Sequence, residues 1–469
     1  MDKKRIATTV SSGILVEILN KIAPLVILFI IQRRLGIDSF GYAMFGISMV
    51  ELFLPLVVFG YGHYGSIELS KLKHSPHKAG QLISNIIVLR SIHAIILALA
   101  LIACTHIFPS YHMYQLMALS LSYSFFAASF ELMWAFMAIQ KMAIFNLFIS
   151  IGRIASLIII VIFVEDSRHG LRFAVLSLLS NAAISIFSSL LIIKDFPLKP
   201  PNLNSMKLIF RRSAPYALVI ALTGLLDRLD MFVIERVAGV TGAGLYAGPA
   251  RLSHSLTQIA NAIILAFFSE MVIINQSSAI RKHLTLGSTI LISWCAPVVV
   301  GGYFVAGDLL SFLFGSEYHD HAQVLNILLL SMTFGSLILA YGLQVLVLHK
   351  KLRYLTLSLA TGVLLAIPLS YGLGSGYGPE GVAAAIMSGK LVALIMIIRK
   401  VAKILNFFPL QAIMKSLIPS MVMGAGLLMY QPESFLLTIA LGSFYYIVSG
   451  MLVHRNQLSG IFNEWKKKI

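Results

Sequence analysis

The chain has 469 residues, of which 58% are hydrophobic and 12% charged, and its mean hydropathy is +0.87. A soluble domain carries about 45–50% apolar and about 25% charged residues, so this composition excludes a soluble enzyme, a nucleic-acid-binding domain and a disordered chain. It points to a polytopic, all-α membrane protein, in which a net charge of +17 reflects the positive-inside bias of cytoplasmic loops.

A bilayer core of ~30 Å needs ~20 mostly apolar residues per helix. Fourteen such runs are read along the chain: 10–33, 41–62, 82–107, 113–139, 143–164, 171–193, 213–236, 243–270, 285–310, 322–348, 354–373, 381–402, 411–430 and 435–453. Short connections separate them, punctuated by Ser75-Pro76, Lys199-Pro200-Pro201, Gly376-Tyr377-Gly378-Pro379 and Gln431-Pro432. No alternating pattern persists long enough for a membrane barrel. The basic start, Met1 to Arg5, resembles a signal n-region, but the apolar run after it is too long and lacks a small-residue cleavage site, so it is expected to stay as the first span. Cys104 and Cys295 lie in apolar runs and suggest no disulfide framework.

Orientation follows from the loops. With the N-terminus in the cytoplasm, inside segments hold 25 Lys and Arg residues, and outside loops hold five: Arg33, Arg34, Arg168, Arg172 and Arg236. That ratio places both termini in the cytoplasm and requires an even number of spans.

The remaining six cations lie inside spans: Lys21, Arg90, Arg153, Arg228, Arg251 and Lys390. Five acids singled out with them are Glu17, Glu51, Glu131, Asp227 and Asp230. Each costs about 2.5–3.5 kcal/mol at a lipid-facing helix centre, so these groups are expected to line a wet cavity or pair inside the bundle. Helical spacing sharpens the expectation. Span 1 carries Glu17, Lys21 and Pro24 on one face, and span 2 carries Ser48, Glu51 and Pro55. Span 3 has Arg90 and His93, span 5 has Asn146, Ser150 and Arg153, and span 7 has Thr223, Asp227 and Asp230. Span 8 carries Arg251, His254, Gln258 and Asn261, four polar side chains at steps of three, four and three.

Plainer readings stand beside these. Glu17 and Lys21, four apart, can neutralise each other. Asp227, Arg228 and Asp230 fit a structural ion network, and His93 and His254 fit packed, hydrogen-bonded histidines. Pro55 frees a backbone carbonyl near Glu51. The stripe on span 8 exceeds what one ion pair needs and points most directly to a cavity. Glu317, His319, Asp320 and His321 mimic a metal or catalytic cluster, but a solvated loop accounts for them.

An internal repeat runs at an offset of 203 residues, placing Arg33 on Arg236, Gly36 on Gly239 and Gly41 on Gly244. Six spans separate the copies, so the halves share one membrane orientation, as in transporters that rock two bundles about a midplane site.

These residues carry a resemblance. Leu35-Gly36, then Phe40-Gly41-Tyr42, and a span ending Phe59-Gly60 resemble the opening of polysaccharide-specific (O-antigen-type) flippases. Their superfamily also contains multidrug and toxin extrusion transporters and the lipid II flippase. Asp230, Gly239, Gly244-Leu245-Tyr246-Ala247 and Ala250-Arg251-Leu252 resemble the start of that family's second lobe. Leu313 to Tyr318 resembles its loop before span 10, and Tyr377 to Ala383 its turn before span 12.

The resemblance implies two six-helix lobes in a V shape plus two C-terminal helices: a first lobe over 1–195, a linker over 196–212, a second lobe over 213–403 and an extra pair with a basic tail over 404–469. It implies a flippase, not an enzyme, moving an undecaprenyl-diphosphate-linked oligosaccharide across the bacterial inner membrane, alongside other polysaccharide-assembly proteins. Arg90, Arg153 and Arg251, backed by Lys21, Arg228 and Lys390, suit the diphosphate. His254, Gln258, Asn261, Asn146 and Tyr246 suit polar contacts with headgroup or sugar. No Gly-x-x-x-x-Gly-Lys loop is present, no cofactor is expected, and the expected drive is H⁺ or Na⁺ coupling through Glu17, Glu51, Glu131, Asp227 or Asp230.

Three alternatives remain. A drug or organic-cation antiporter needs a net acidic cavity, against six cations and five acids here. A lipid II flippase typically has a denser charge cluster in span 1 than Glu17 and Lys21. A polymerase or ligase needs a larger external loop than 310–322 or 164–171 offers.

Overall fold

A computed structural model describes residues 3–72, 74–271, 277–430 and 432–453, with side chains from residue 25 onward except at 110, 265–279, 343 and 344. Helices α1 (Lys3–Val58), α2 (Tyr61–Leu72) and α3 (Pro76–Ile107) open the chain. Three short helices follow, α4 (Gln115–Leu121), α5 (Tyr123–Ser129) and α6 (Met133–Ala138), then α7 (Met142–Phe163) and α8 (Gly170–Asp195). Next come α9 (Leu203–Met271), α10 (Ser277–Phe314), α11 (Ala322–Tyr341), α12 (Leu352–Leu405), α13 (Leu410–Met429) and α14 (Phe435–Val453). There is no strand among the described residues.

Among the described residues, ten helical stretches are long and apolar enough to cross a membrane, so the chain is a multi-pass membrane protein. The expected count of fourteen is not reproduced by that measure. The charged α9 is not among the ten, and α12 counts once. At 1.5 Å per residue, the 54 residues of α12 span ~80 Å, far more than a bilayer core. Gly378 resolves this. Its φ of 56° and ψ of −138° break the helix, in a region that glycine alone enters without a steric penalty. The two arms then pack side by side, so closely that a Cβ on Gly362 would lie 2.7 Å from the Gly389 carbonyl oxygen, and one on Gly389 2.6 Å from that of Gly362. Small residues let helix backbones approach where lipid offers no hydrophobic drive.

The chain separates into two compact units, 1–247 and 248–469. In the first, α1 packs on α7 and α8, and α3 on α5. Tyr61, Ile83, Ile86, Trp134, Phe136 and Phe145 join one apolar cluster. In the second, α10 packs against α11, α13 and α14, and α11 against α12. Hydroxyls inside helices turn back onto their own backbone, as Ser370 Oγ does on the Ala366 carbonyl and Ser416 Oγ on that of Ala412. Such bonds keep polar atoms satisfied in an apolar setting.

Candidate functional site

In the first unit, α1 and α9 meet in antiparallel register. A Cβ on Gly224 would touch Pro55 Cγ at 3.0 Å. Four residues along each helix, one turn away, Arg228 Nη1 lies 2.6 Å from Glu51 Oε2, each side chain about 20% exposed. The sequence supplies the glycine that lets the helices approach and places the ion pair a turn from it. Arg153, from α7, is half-buried and within Coulombic reach of Glu51. Its Nε has no hydrogen-bond partner among the described residues. Two guanidinium groups thus come under the influence of one carboxylate in a poorly solvated setting, where charge-assisted bonds to an anion are strong.

Arg90 is a different case. It is fully buried. Its Nη1 donates to the backbone carbonyls of Ala128 at 3.3 Å and Glu131 at 2.6 Å, and lies 3.8 Å from Glu131 Oε2. Glu131 Oε1 in turn accepts the Met133 backbone N–H at 3.1 Å. The helix is interrupted between α5 and α6, and orphan carbonyls inside an apolar bundle cost several kcal/mol each. Arg90 and Glu131 satisfy that break. The structure places them at this internal cap and not beside Arg153 and Arg228.

The other sequence candidates are distributed as follows. Asp230 is buried and accepts the Tyr246 hydroxyl at 2.6 Å, a bond that links the two arms of α9 on either side of Gly239. Asp227 is exposed. His93 Nδ1 donates to the Leu56 carbonyl at 3.1 Å, near the turn after Pro55, and its ring packs on Phe59, Tyr61 and Phe210, as the packed-histidine reading holds. In the second unit Arg251, His254, Gln258 and Asn261 lie half-buried on one helix face, and Gln258 Nε2 contacts His254 Nε2 at 3.3 Å. Lys390 is half-buried, its Nζ 3.7 Å from the position of a Cβ on Gly335. Glu17 and Lys21 fall outside the residues whose side chains are described. His321 Nδ1 pairs with Glu380 at 3.2 Å and His319 with Asp308 at 3.8 Å. Among the described residues no group of His, Cys, Asp and Glu is arranged to hold a metal ion.

The repeat acquires a physical meaning at one end of the first unit. Gly36 has φ 72°, ψ 172° and Gly239 φ 66°, ψ −167°, so the two backbone breaks are conformational twins 203 residues apart. A Cβ on Gly41 would overlap the Val240 carbonyl oxygen, and one on Gly244 would overlap that of Ile37. Ile37 and Val240 are themselves 203 apart, so each repeat segment presses its glycine on the equivalent carbonyl of the other. Thr241 Oγ1 donates to Asp38 Oδ1 at 2.6 Å between equivalent positions. The two segments form a near-symmetric strap.

Residues 6–269 match the profile of a family described as polysaccharide biosynthesis protein. This chain belongs to that family. A search of curated proteins finds no match. Among solved structures, the chain is similar to a lipid II flippase, MurJ, in an inward closed conformation. The TM-score is 0.76 at 17% identity, over 95% of this chain and all (100%) of that one. It is also similar to an inward-facing multidrug resistance MATE family transporter of the MOP superfamily, with TM-score 0.64 and 14% identity over 82% of this chain and 94% of that one. A MATE transporter in a bent conformation matches at TM-score 0.55 and 16% identity over 86% and 99%. These likenesses give the fold of this polysaccharide biosynthesis family member: an all-α transporter-type bundle.

Sequence reading of this family member missed two pairs. Tyr114, fully buried, donates to Glu235 Oε1 at 3.1 Å. Glu235 sits beside Arg236 at a span end, where it passes for a loop charge. The Asp38–Thr241 bond was equally unread, although the offset of 203 was available as a signal. Only the fold shows that equivalent positions touch.

Proposed function

We propose that this protein is a flippase, not an enzyme, that carries an undecaprenyl-diphosphate-linked oligosaccharide, an O-antigen-type repeat unit, across the bacterial inner membrane by ion-coupled alternating access. The observation that carries the reading is the Glu51–Arg228 pair with Arg153 beside it. A dianionic headgroup competes with Glu51 for two arginines already held in place by helix packing. Arg90 is left out of this role because its guanidinium is fully buried and bonded to backbone carbonyls.

The stripe Arg251, His254, Gln258 and Asn261, with Lys390, offers a second set of headgroup and sugar contacts. When the diphosphate displaces Glu51, the freed carboxylate becomes a site for a proton or Na⁺, which ties the ion to the cargo. Asp230, Asp227 and Glu17 remain further candidates for the coupling ion, and Lys21 for the headgroup. In this reading the N- and C-termini face the cytoplasm, and the strap of Gly36–Thr241 closes the outer side while cargo enters from within.

The test is deletion of the gene in its host and complementation with Arg228→Ala, Arg153→Ala and Arg251→Ala. Loss of surface polymer, with undecaprenyl-linked repeat units accumulating inside, is the expected result. Normal polymer with new sensitivity to cationic drugs moves the reading to a multidrug or organic-cation antiporter; a multidrug resistance transporter has a similar fold.

A further inference from the structure

A cavity of 540 Å³ opens beside the strap. Asp38 and Tyr42 line it from the first repeat segment, Val240 and Thr241 from the second, and Met113 and Arg168 from neighbouring connections. Its volume falls in the range of small-molecule sites, about 300–1,000 Å³. The lining mixes one acid and one base with hydroxyls and apolar surface. Both charged groups already have partners: Asp38 accepts the Thr241 hydroxyl, and Arg168 pairs with Asp166, Nη2 to Oδ2 at 2.8 Å. Tyr42 is held by stacking on Tyr114, centroids 5.3 Å apart, and by its hydroxyl on the Met113 carbonyl. A fixed aromatic ring, an apolar wall and balanced donors and acceptors suit a ligand that is uncharged, rich in hydroxyls and apolar on one face.

We infer that this cavity is a subsite for a neutral sugar of the cargo, occupied on the outer side after translocation. The inference rests on the flippase reading for the cargo, and on the cavity for the place. Its walls come from both halves of the strap, so a sugar bound there favours the closed strap, by the ordinary rule that a ligand stabilises the state it binds. A delivered headgroup is then retained outside while the strap is shut, which opposes its return. When the strap opens, Val240 and Thr241 separate from Asp38 and Tyr42, and the subsite is lost with the closure.

The test uses the full chain in its host. A photo-crosslinking amino acid replaces Ser167, an exposed residue of the cavity lining, and in a control it replaces the exposed Leu99 of α3. After irradiation of exporting cells, the purified protein is digested and analysed by mass spectrometry. The expected result is a sugar-bearing adduct at position 167 that is at least tenfold more abundant than at position 99. A second arm measures export by Arg168→Ala and Tyr42→Phe at matched membrane levels, where a fall of severalfold is expected. No adduct, or adducts of phospholipid alone, together with unchanged export by both variants, overturns the subsite while leaving the flippase reading intact. Polymer that persists after gene deletion overturns the flippase reading itself.

Discussion

Gly41 and Gly244 stand 203 residues apart in the chain, and each lies so close to the other's segment that a methyl group on either would overlap backbone. The overlap is with carbonyl oxygens, which cannot rotate away as a side chain does. Overpacking of this kind costs about 1–3 kcal/mol, roughly a 5- to 150-fold shift between closed and open strap. Gly41→Ala and Gly244→Ala are therefore expected to impair closure. Disulfide formation between Asp38→Cys and Thr241→Cys reports it. The yield should be high alone and drop when either alanine is added, and an unchanged yield would refute a closure role for these glycines.

Glu51 and Arg228 give opposite signs. Glu51→Gln removes the carboxylate that competes with an anion for Arg153 and Arg228, so undecaprenyl diphosphate is expected to bind about tenfold more tightly, equal to ~1.4 kcal/mol, while ion-driven transport stops. Arg228→Ala should weaken binding by a similar factor. Equilibrium binding to purified protein in nanodiscs separates these outcomes. Equal affinities for wild type and both variants would remove the pair from the cargo site.

Arg90 should behave as a structural residue. Arg90→Ala takes the donor from the Glu131 carbonyl and one of two from the Ala128 carbonyl, which keeps the Glu131 N–H at 3.3 Å. At ~1.5–3 kcal/mol per charge-assisted bond, a loss of about 3 kcal/mol or more of stability is expected, with cargo affinity of the surviving folded protein unchanged. Thermal unfolding in detergent, followed by the binding assay, checks both. Full stability with lost binding would return Arg90 to the cargo site.

Asp166 lies in the connection between α7 and α8, where the Arg168 side chain and backbone N–H hold its carboxyl down at about 2. The folded value is below the unfolded value of about 3.9. Its contribution is therefore present above pH 4 and is lost as pH falls toward 2. A ¹³C-carboxyl titration should show one aspartate with a midpoint near 2, absent in Asp166→Asn. A midpoint near 4 for every loop aspartate would show that the Arg168 contact does not hold in solution.

The sequence alone determined the membrane class, the order of most spans and the breaks at Gly36, Gly239 and Gly378. These depend on local quantities: apolar length, loop charge and the positive φ that glycine tolerates. It also marked Glu51, Arg153 and Arg228 as groups that lipid cannot hold. Pairing was beyond it. Periodicity places a residue on a helix face, but not the helix that face meets. Only the tertiary structure set Arg228 against Glu51, sent Arg90 to the broken helix at Glu131 and showed that repeat-related glycines touch. Such contacts depend on backbone approach between segments about 40 to 200 residues apart, and no local propensity encodes that distance.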